Sequence, residues 1–110
     1  MERTLIKDLP QKIGEEVKLK GWLQVLRDQK SMQFLIIRDN TGLAQVAHWK
    51  KGNLELAELI SNIGTESALT LTGKVVENEL VKLGGIEIQL ETLHVDNNAE
   101  LPLPFEPFAE

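Results

Sequence analysis

From residue 17 onward the chain alternates between hydrophobic and polar positions, after an irregular opening that contains Pro10 and Gly14. In this stretch, polar residues and Trp22 alternate with the hydrophobic residues Val17, Leu19, Leu23 and Val25. A period of two over this length predicts a long, half-buried β-strand. Gly21 stands in its middle and predicts a bend or bulge there. We expect residues 27–31 to form the turn that follows.

Four more strands and one helix are predicted further along. Residues 32–38 and 43–49 are hydrophobic runs separated by the tight-turn signal Asp39-Asn-Thr-Gly42. Asn53 is placed to cap a helix over residues 54–63 that ends at Gly64. Two β-rich runs then cover residues 68–76 and 86–95.

The order β-β-β-α-β-β predicts an all-β domain, a five-stranded Greek-key OB-fold barrel with one helix between strands 3 and 4. In such barrels the face of strands 2 and 3 often binds oligonucleotides. An SH3-like barrel or a general α+β domain would share much of the pattern. We assign residues 1–98 to the barrel and residues 99–110, which hold three of the four prolines, to a Pro-rich linker or tail.

Composition excludes several classes of function. No apolar run approaches 18 residues, and the opening lacks a signal-peptide pattern, so we expect no membrane association. The absence of cysteine excludes disulfides and thiol catalysis and fits the cytoplasm. The two histidines, His48 and His94, are far apart in sequence, and no carboxylate pair, Ser–His pair or phosphate-binding glycine loop is present. We therefore predict no metal site, no cofactor and no enzymatic activity for this chain alone.

The net charge of −5 hides a strong asymmetry. Residues 1–52 carry ten basic against six acidic residues, whereas residues 53–110 carry two basic against eleven acidic ones. The first half could present a basic face to phosphates. A mixed, solvated surface explains the same numbers, so charge alone decides nothing.

Strand alternation raises a question about Phe34. In strand 2, Phe34 shares a face with Arg38, whereas Leu35 shares the opposite face with Gln33, so polar residues lie on both faces. Alternation alone slightly favours a core position for Phe34. If Leu35 and Val46 are core residues instead, Phe34 and Gln45 face outward together, and Arg27 completes the patch. A ring, an amide and a guanidinium would suit one unpaired base.

Several motifs along the chain resemble the N-terminal anticodon-binding domain of aspartyl-tRNA synthetases and their asparaginyl relatives, which are class II enzymes. They are Gly21-Trp22, Arg27-Asp28, Phe34, Arg38-Asp39, Thr41-Gly42 and Gln45-Val46, with "ESALTLTGKVV", "GGIEIQLETLHV" and "NNAELPLP" later in the chain. The resemblance covers nearly all 110 residues. It implies an OB-fold that binds the anticodon stem-loop of a tRNA as single-stranded RNA.

The resemblance also implies roles for particular residues. Phe34 would stack on the central anticodon uridine, and Gln45 and Arg27 would contact anticodon nucleotides. Asp28, Arg38 and Asp39 are interpreted as turn and ion-pair residues that support the site, and Trp22 as a packing residue. ATP and Mg²⁺ would belong to a catalytic domain whose motifs are absent from these residues.

Two features depart from the family pattern. Gln29-Lys30-Ser31 replaces the usual glycine-containing turn, where Lys30 could meet a phosphate or simply be solvated. The overall acidity weakens the case for tight RNA binding. The alternative function is therefore an OB-fold protein-interaction module that has lost RNA binding and forms a homodimer through its acidic half or a strand edge. The specificity for tRNA of aspartate or asparagine stays open.

Overall fold

Five strands close into a barrel in the computed structural model, which describes residues 1–97. The strands are β1 (Glu16–Asp28), β2 (Met32–Asp39), β3 (Gly42–Trp49), β4 (Ala68–Glu77) and β5 (Ile86–Asn97). Their order around the barrel is β1-β2-β3-β5-β4, and β4 pairs with β1 to close it. Only the β3–β5 pairing is parallel among these. The predicted all-β, five-stranded OB-fold barrel is confirmed.

The remaining elements are helical and short. A 3₁₀ helix, Ile6–Gln11, precedes β1, and a second one, Lys50–Gly52, follows β3. The α-helix α1 (Leu54–Ser61) lies between β3 and β4, as predicted, and Asn53 caps it by accepting a hydrogen bond from the Leu56 N–H. No helix in residues 1–97 is long and apolar enough to cross a membrane. The predicted linker over residues 99–110 lies outside the described part of the chain.

The core is built from the inward faces of all five strands. Leu23, Leu35, Ile37, Val46 and Ile88 are fully buried at its centre. The helix α1 adds Leu56 and Ile60, and the first 3₁₀ helix adds Ile6 and Leu9. Burial of this apolar surface is the main favourable contribution to folding.

The bulge in β1 lies after Gly21 rather than at it. The β1–β2 register shifts between Leu23 and Val25, which places the extra residue at Gln24. Gly21 serves a different purpose, because a Cβ at that position would meet the backbone oxygen of Arg38 on the neighbouring strand. The glycine therefore allows close strand approach, and the bulge changes which side chains face the core.

The ends of β1 and α1 differ from the sequence-based expectation. Strand β1 continues to Asp28, so Arg27, which we predicted in the turn, lies on the strand. The helix α1 ends at Ser61 rather than at Ile63. It ends early because the side chains of Ser61 and Asn62 both donate hydrogen bonds to the Glu58 carbonyl oxygen.

Candidate nucleic-acid interface

Phe34 lies on the outward face of the barrel. Burial alternates strictly along β2, with Gln33, Leu35 and Ile37 fully buried and the residues between them half-buried. Phe34 is one of these half-buried residues and does not belong to the core cluster. The core position that alternation alone favoured for Phe34 is therefore wrong.

Strand register brings three predicted site residues to one surface. Arg27 of β1 lies directly opposite Phe34, and Gln45 of β3 lies opposite Ile36, the next outward residue of β2. Directly opposite residues in antiparallel strands point to the same side of the sheet. Arg27, Phe34 and Gln45 line one cleft of about 520 Å³, which we call the Phe34 cleft.

The loop between β4 and β5 forms the other wall of the Phe34 cleft. Leu80, Lys82 and Leu83 line it, and Leu80 is 89% exposed. None of these three residues was among those predicted from the sequence. A usable signal existed, because Lys82 is one of only two basic residues after residue 52, and the β4–β5 loop flanks the binding face in OB-folds.

Lys30, the fourth predicted site residue, lies elsewhere. It is exposed in the β1–β2 turn and does not line the Phe34 cleft, whereas its neighbour Gln29 does. Within residues 1–97 Lys30 makes no ion pair. The structure thus brings three of the four predicted residues together and leaves Lys30 at the edge of that group.

The amide of Gln45 is held by an acidic residue of β5. Its Nε2 donates a hydrogen bond of 2.9 Å to Oε2 of Glu87. Because a carboxylate only accepts hydrogen bonds, this contact fixes which end of the amide carries the donor. The Oε1 atom of Gln45 accepts no hydrogen bond from any residue in the range 1–97, so it can accept one from a ligand.

The residues interpreted as supports do form structural contacts. Arg38 forms a bidentate ion pair with Glu66, with a closest distance of 2.8 Å, and lies over the ring of Trp22. Lys50 Nζ lies 2.7 Å from Asp28 Oδ1. These contacts agree with a supporting role for Arg38 and Asp28 next to the cleft.

Asp39 organises the β2–β3 turn. Its carboxylate accepts hydrogen bonds from the Thr41 hydroxyl and from the backbone N–H groups of Ile6, Thr41 and Gly42. Burial by itself would raise the pKa of Asp39, but these hydrogen bonds outweigh it and hold that pKa below its ordinary value. The turn therefore depends on an ionised Asp39.

His48 belongs to a buried polar network. Its Nδ1 lies 3.0 Å from Oε1 of Gln33, whose Nε2 donates to the backbone oxygen of Ala57 in α1 at 2.9 Å. Burial lowers the pKa of His48. The network connects β2, β3 and α1, and it explains how Gln33 can be fully buried on the core face.

Comparison with models of known protein families shows to which family the chain belongs. Residues 17–96 match the family model of the tRNA anticodon type, described as an OB-fold nucleic acid binding domain. The chain belongs to this family.

Individual relatives agree with this assignment. The asparagine–tRNA ligase of Pelotomaculum thermopropionicum is 44% identical over 105 residues, covering 94% of this chain and 24% of that protein. The aspartate–tRNA(Asp/Asn) ligase of Methanococcus vannielii is 38% identical over 100 residues, covering 90% of this chain and 23% of that protein. The crystal structure of the asparaginyl-tRNA synthetase of Pyrococcus horikoshii superimposes with a TM-score of 0.83 at 31% identity, covering 97% of this chain and 25% of the other.

The chain thus spans about a quarter of the length of the curated relatives it matches. The part matched is the OB-fold anticodon-binding domain, and as such this chain alone is a binding domain rather than an enzyme. The predicted resemblance to aspartyl- and asparaginyl-tRNA synthetases is confirmed. The individual roles of Phe34, Gln45, Arg27 and Lys30 in binding stay predictions.

Proposed function

We propose that this domain binds the anticodon loop of a tRNA for aspartate or asparagine and holds one unpaired base in the Phe34 cleft. The observation that supports this proposal is the convergence of Arg27, Phe34 and Gln45 on one outward cleft, in a chain that belongs to an anticodon-binding family. Sequence-specific RNA recognition commonly uses splayed bases stacked on an aromatic ring and hydrogen-bonded along their edges.

Each residue has a distinct task in this proposal. The ring of Phe34 stacks on the base, and the Oε1 atom of Gln45 accepts a hydrogen bond from a base N–H, such as the imino group of uracil. This assignment of donor and acceptor follows from the Gln45–Glu87 hydrogen bond. Arg27, on the same face, supplies a positive charge for phosphate or base.

The walls of the cleft favour a base over a free phosphate. Ile36 and Leu43 from the strands, with Leu80 and Leu83 from the β4–β5 loop, provide apolar surface on either side of Phe34. Glu87 lies behind Gln45 and would repel a phosphate at that end. Lys82 stands on the loop side, where it can approach the backbone of the bound strand.

The proposal is tested by replacing Phe34 and titrating RNA hairpins that carry the anticodon loop of the tRNA for aspartate or asparagine. Stacking on an aromatic side chain contributes about 1–3 kcal/mol per base, so we expect Phe34→Ala to weaken binding by more than about tenfold. Phe34→Leu keeps apolar volume without a ring, and it should lose most of the same affinity.

Trp22→Ala is the matched control, because Trp22 is also an exposed aromatic residue of the barrel but does not line the Phe34 cleft. Circular dichroism melting should show that all variants remain folded. The proposal fails if the wild-type domain binds the anticodon hairpin no better than a hairpin with a scrambled loop. In that case the protein-interaction alternative would gain support from a dimer in sedimentation analysis.

A further inference from the structure

A second aromatic ring stands exposed on the same face as Phe34. Trp49 ends β3, is 56% exposed, and shares the outward side of that strand with Gln45. It contacts the short 3₁₀ turn that follows, where a Cβ on Gly52 would lie 3.5 Å from the indole Cε3. The indole does not belong to the core cluster.

The register of β2 and β3 sets the relation between the two rings. Phe34 lies opposite Ala47, and Met32 lies opposite Trp49, so Phe34 and Trp49 are diagonal neighbours on one face. Such neighbours are about 7–8 Å apart at the backbone and within reach of aromatic side chains. Ala47 between them is small, and nothing bulky on β3 separates the two rings.

A separate cleft of about 480 Å³ lies beside Trp49. Its apolar lining comes from Met32, Ala47, Leu56 and Leu90. We call it the Trp49 cleft. It has the size and apolar walls to take one planar base next to the indole.

The charges at the Trp49 cleft limit which part of a nucleotide could enter it. Lys50 follows Trp49 directly and is paired with Asp28, whereas Lys51, the next residue, is exposed and makes no ion pair within residues 1–97. The charged residues that line the cleft itself are Glu87 and Glu91. Carboxylates accept N–H groups of a base edge and repel phosphates, so a base edge rather than a phosphate would face them.

We propose that Trp49 is a second stacking platform, which holds the nucleobase adjacent in the RNA strand to the base on Phe34. This inference rests on the proposed function, because the two rings share one face. A folded protein partner is the other class of ligand that an exposed indole could take. Single-stranded RNA is favoured here because Trp49 and Phe34 are diagonal neighbours on one face, so the Trp49 cleft continues the Phe34 face.

Fluorescence tests contact with the indole directly. The chain has two tryptophans, so Trp22→Phe leaves Trp49 as the only emitter and Trp49→Phe leaves Trp22. We expect the anticodon hairpin to quench the Trp22→Phe protein and to protect it from acrylamide. The Trp49→Phe protein should show neither effect.

Affinity measurements test whether the contact contributes to binding. Trp49→Ala should weaken binding of the hairpin by about 5- to 150-fold, and Trp49→Phe should retain part of the affinity because a ring remains. A set of hairpins with one abasic nucleotide at each loop position locates the base. Removing the base that stacks on Trp49 should not weaken binding to Trp49→Ala any further, and removing the base that stacks on Phe34 should not weaken binding to Phe34→Ala any further. We expect these two loop positions to be adjacent in the RNA.

The outcomes separate this inference from the proposed function. If Phe34→Ala loses affinity while Trp49→Ala and the Trp49 emission do not change, the second platform is refuted and the proposed function stands. If the wild-type domain does not discriminate the anticodon hairpin from the scrambled one, both are refuted. The proposal would also be overturned if the same abasic position ceased to affect affinity in both Trp49→Ala and Phe34→Ala. That result would mean that both rings contact one base in a single site.

Discussion

Arg27 lies directly opposite Phe34 in the β1–β2 ladder, and both side chains are on the outward face of the barrel. This pairing depends on the bulge between Leu23 and Val25. In a regular strand, Arg27 would share the inward side of Leu23, four residues earlier. The bulge exchanges the two faces, so that Leu26 packs against the core and Val25 and Arg27 line the Phe34 cleft.

Arg27 and Lys30 should differ in their effect on RNA binding, although both carry a positive charge close to the turn. We expect Arg27→Ala to weaken binding of the anticodon hairpin by at least about fivefold, because Arg27 lines the Phe34 cleft. Lys30→Ala should change it by less than about twofold, because Lys30 lies outside that cleft and its charge is screened by solvent.

Salt titration then shows what Arg27 contacts. Loss of a phosphate contact in a single strand should reduce the slope of log K against log salt by about 0.7. An unchanged slope with lower affinity would indicate a contact with the base. Equal losses for Arg27→Ala and Lys30→Ala would contradict the geometry of the site.

RNA binding should be weakened less by removal of the Gln45 amide than by introduction of a negative charge at position 45. Gln45→Ala removes one hydrogen bond to the base, whereas Gln45→Glu also places a second carboxylate next to Glu87, which accepts from the amide at 2.9 Å. Two adjacent carboxylates raise the pKa of one of them and repel the RNA backbone. We therefore expect Gln45→Glu to bind the hairpin more weakly than Gln45→Ala.

The double variant Gln45→Glu, Glu87→Gln is the control for this interpretation. It restores one carboxylate and one amide in exchanged positions, so its affinity should exceed that of Gln45→Glu alone. If Gln45→Glu binds as well as the wild type, Gln45 does not contact the RNA.

The sequence pattern predicted the barrel well because each strand has one apolar face. It predicted a bend or bulge at Gly21 and could not predict its position at Gln24, because the alternation from Val17 runs through Gln24 without interruption. It could not predict that Gln33 is buried either, since its partners, His48 and Ala57, come from later parts of the chain. The outward orientation of Phe34 came from family resemblance, as alternation left both faces with a polar residue.

Gly21 should be one of the positions most sensitive to a single added methyl group. A Cβ there would meet the Arg38 backbone oxygen and lie 2.9 Å from Ile37 Cγ2 on the paired strand. We expect Gly21→Ala to lower the free energy of unfolding by roughly 1–3 kcal/mol, because β1 and β2 cannot separate without loss of ladder hydrogen bonds. Urea denaturation provides the measurement.

Gly42→Ala is the control for this variant. Gly42 is also a strand glycine, but a Cβ there would contact only Ile6 Cγ2, at an ordinary 3.5 Å. Reduced backbone entropy of the unfolded chain should make this change neutral or stabilising. A similar decrease in the free energy of unfolding in both variants would show that close strand approach is not what requires glycine at position 21.

His48 should make stability depend on pH just below neutrality. Gln33 uses its Nε2 to donate to Ala57, so its Oε1 accepts from the Nδ1–H of a neutral His48 ring. Burial lowers the pKa of His48 in the folded state. The unfolded chain, with an ordinary histidine pKa of about 6.5, therefore takes up the proton first as pH falls.

The sign of the effect follows from this difference in proton uptake. Stability contributed by neutral His48 is fully present above about pH 6.5 and is lost as pH falls toward the lower pKa of the folded state. His48→Asn keeps a donor for Gln33 and does not titrate, and exposed His94 is common to both proteins. The stability advantage of the wild type over His48→Asn should shrink between pH 7.5 and 5.5, by up to about 1.4 kcal/mol per unit of pKa difference. A constant difference in urea denaturation across this range would mean that His48 is protonated equally in both states.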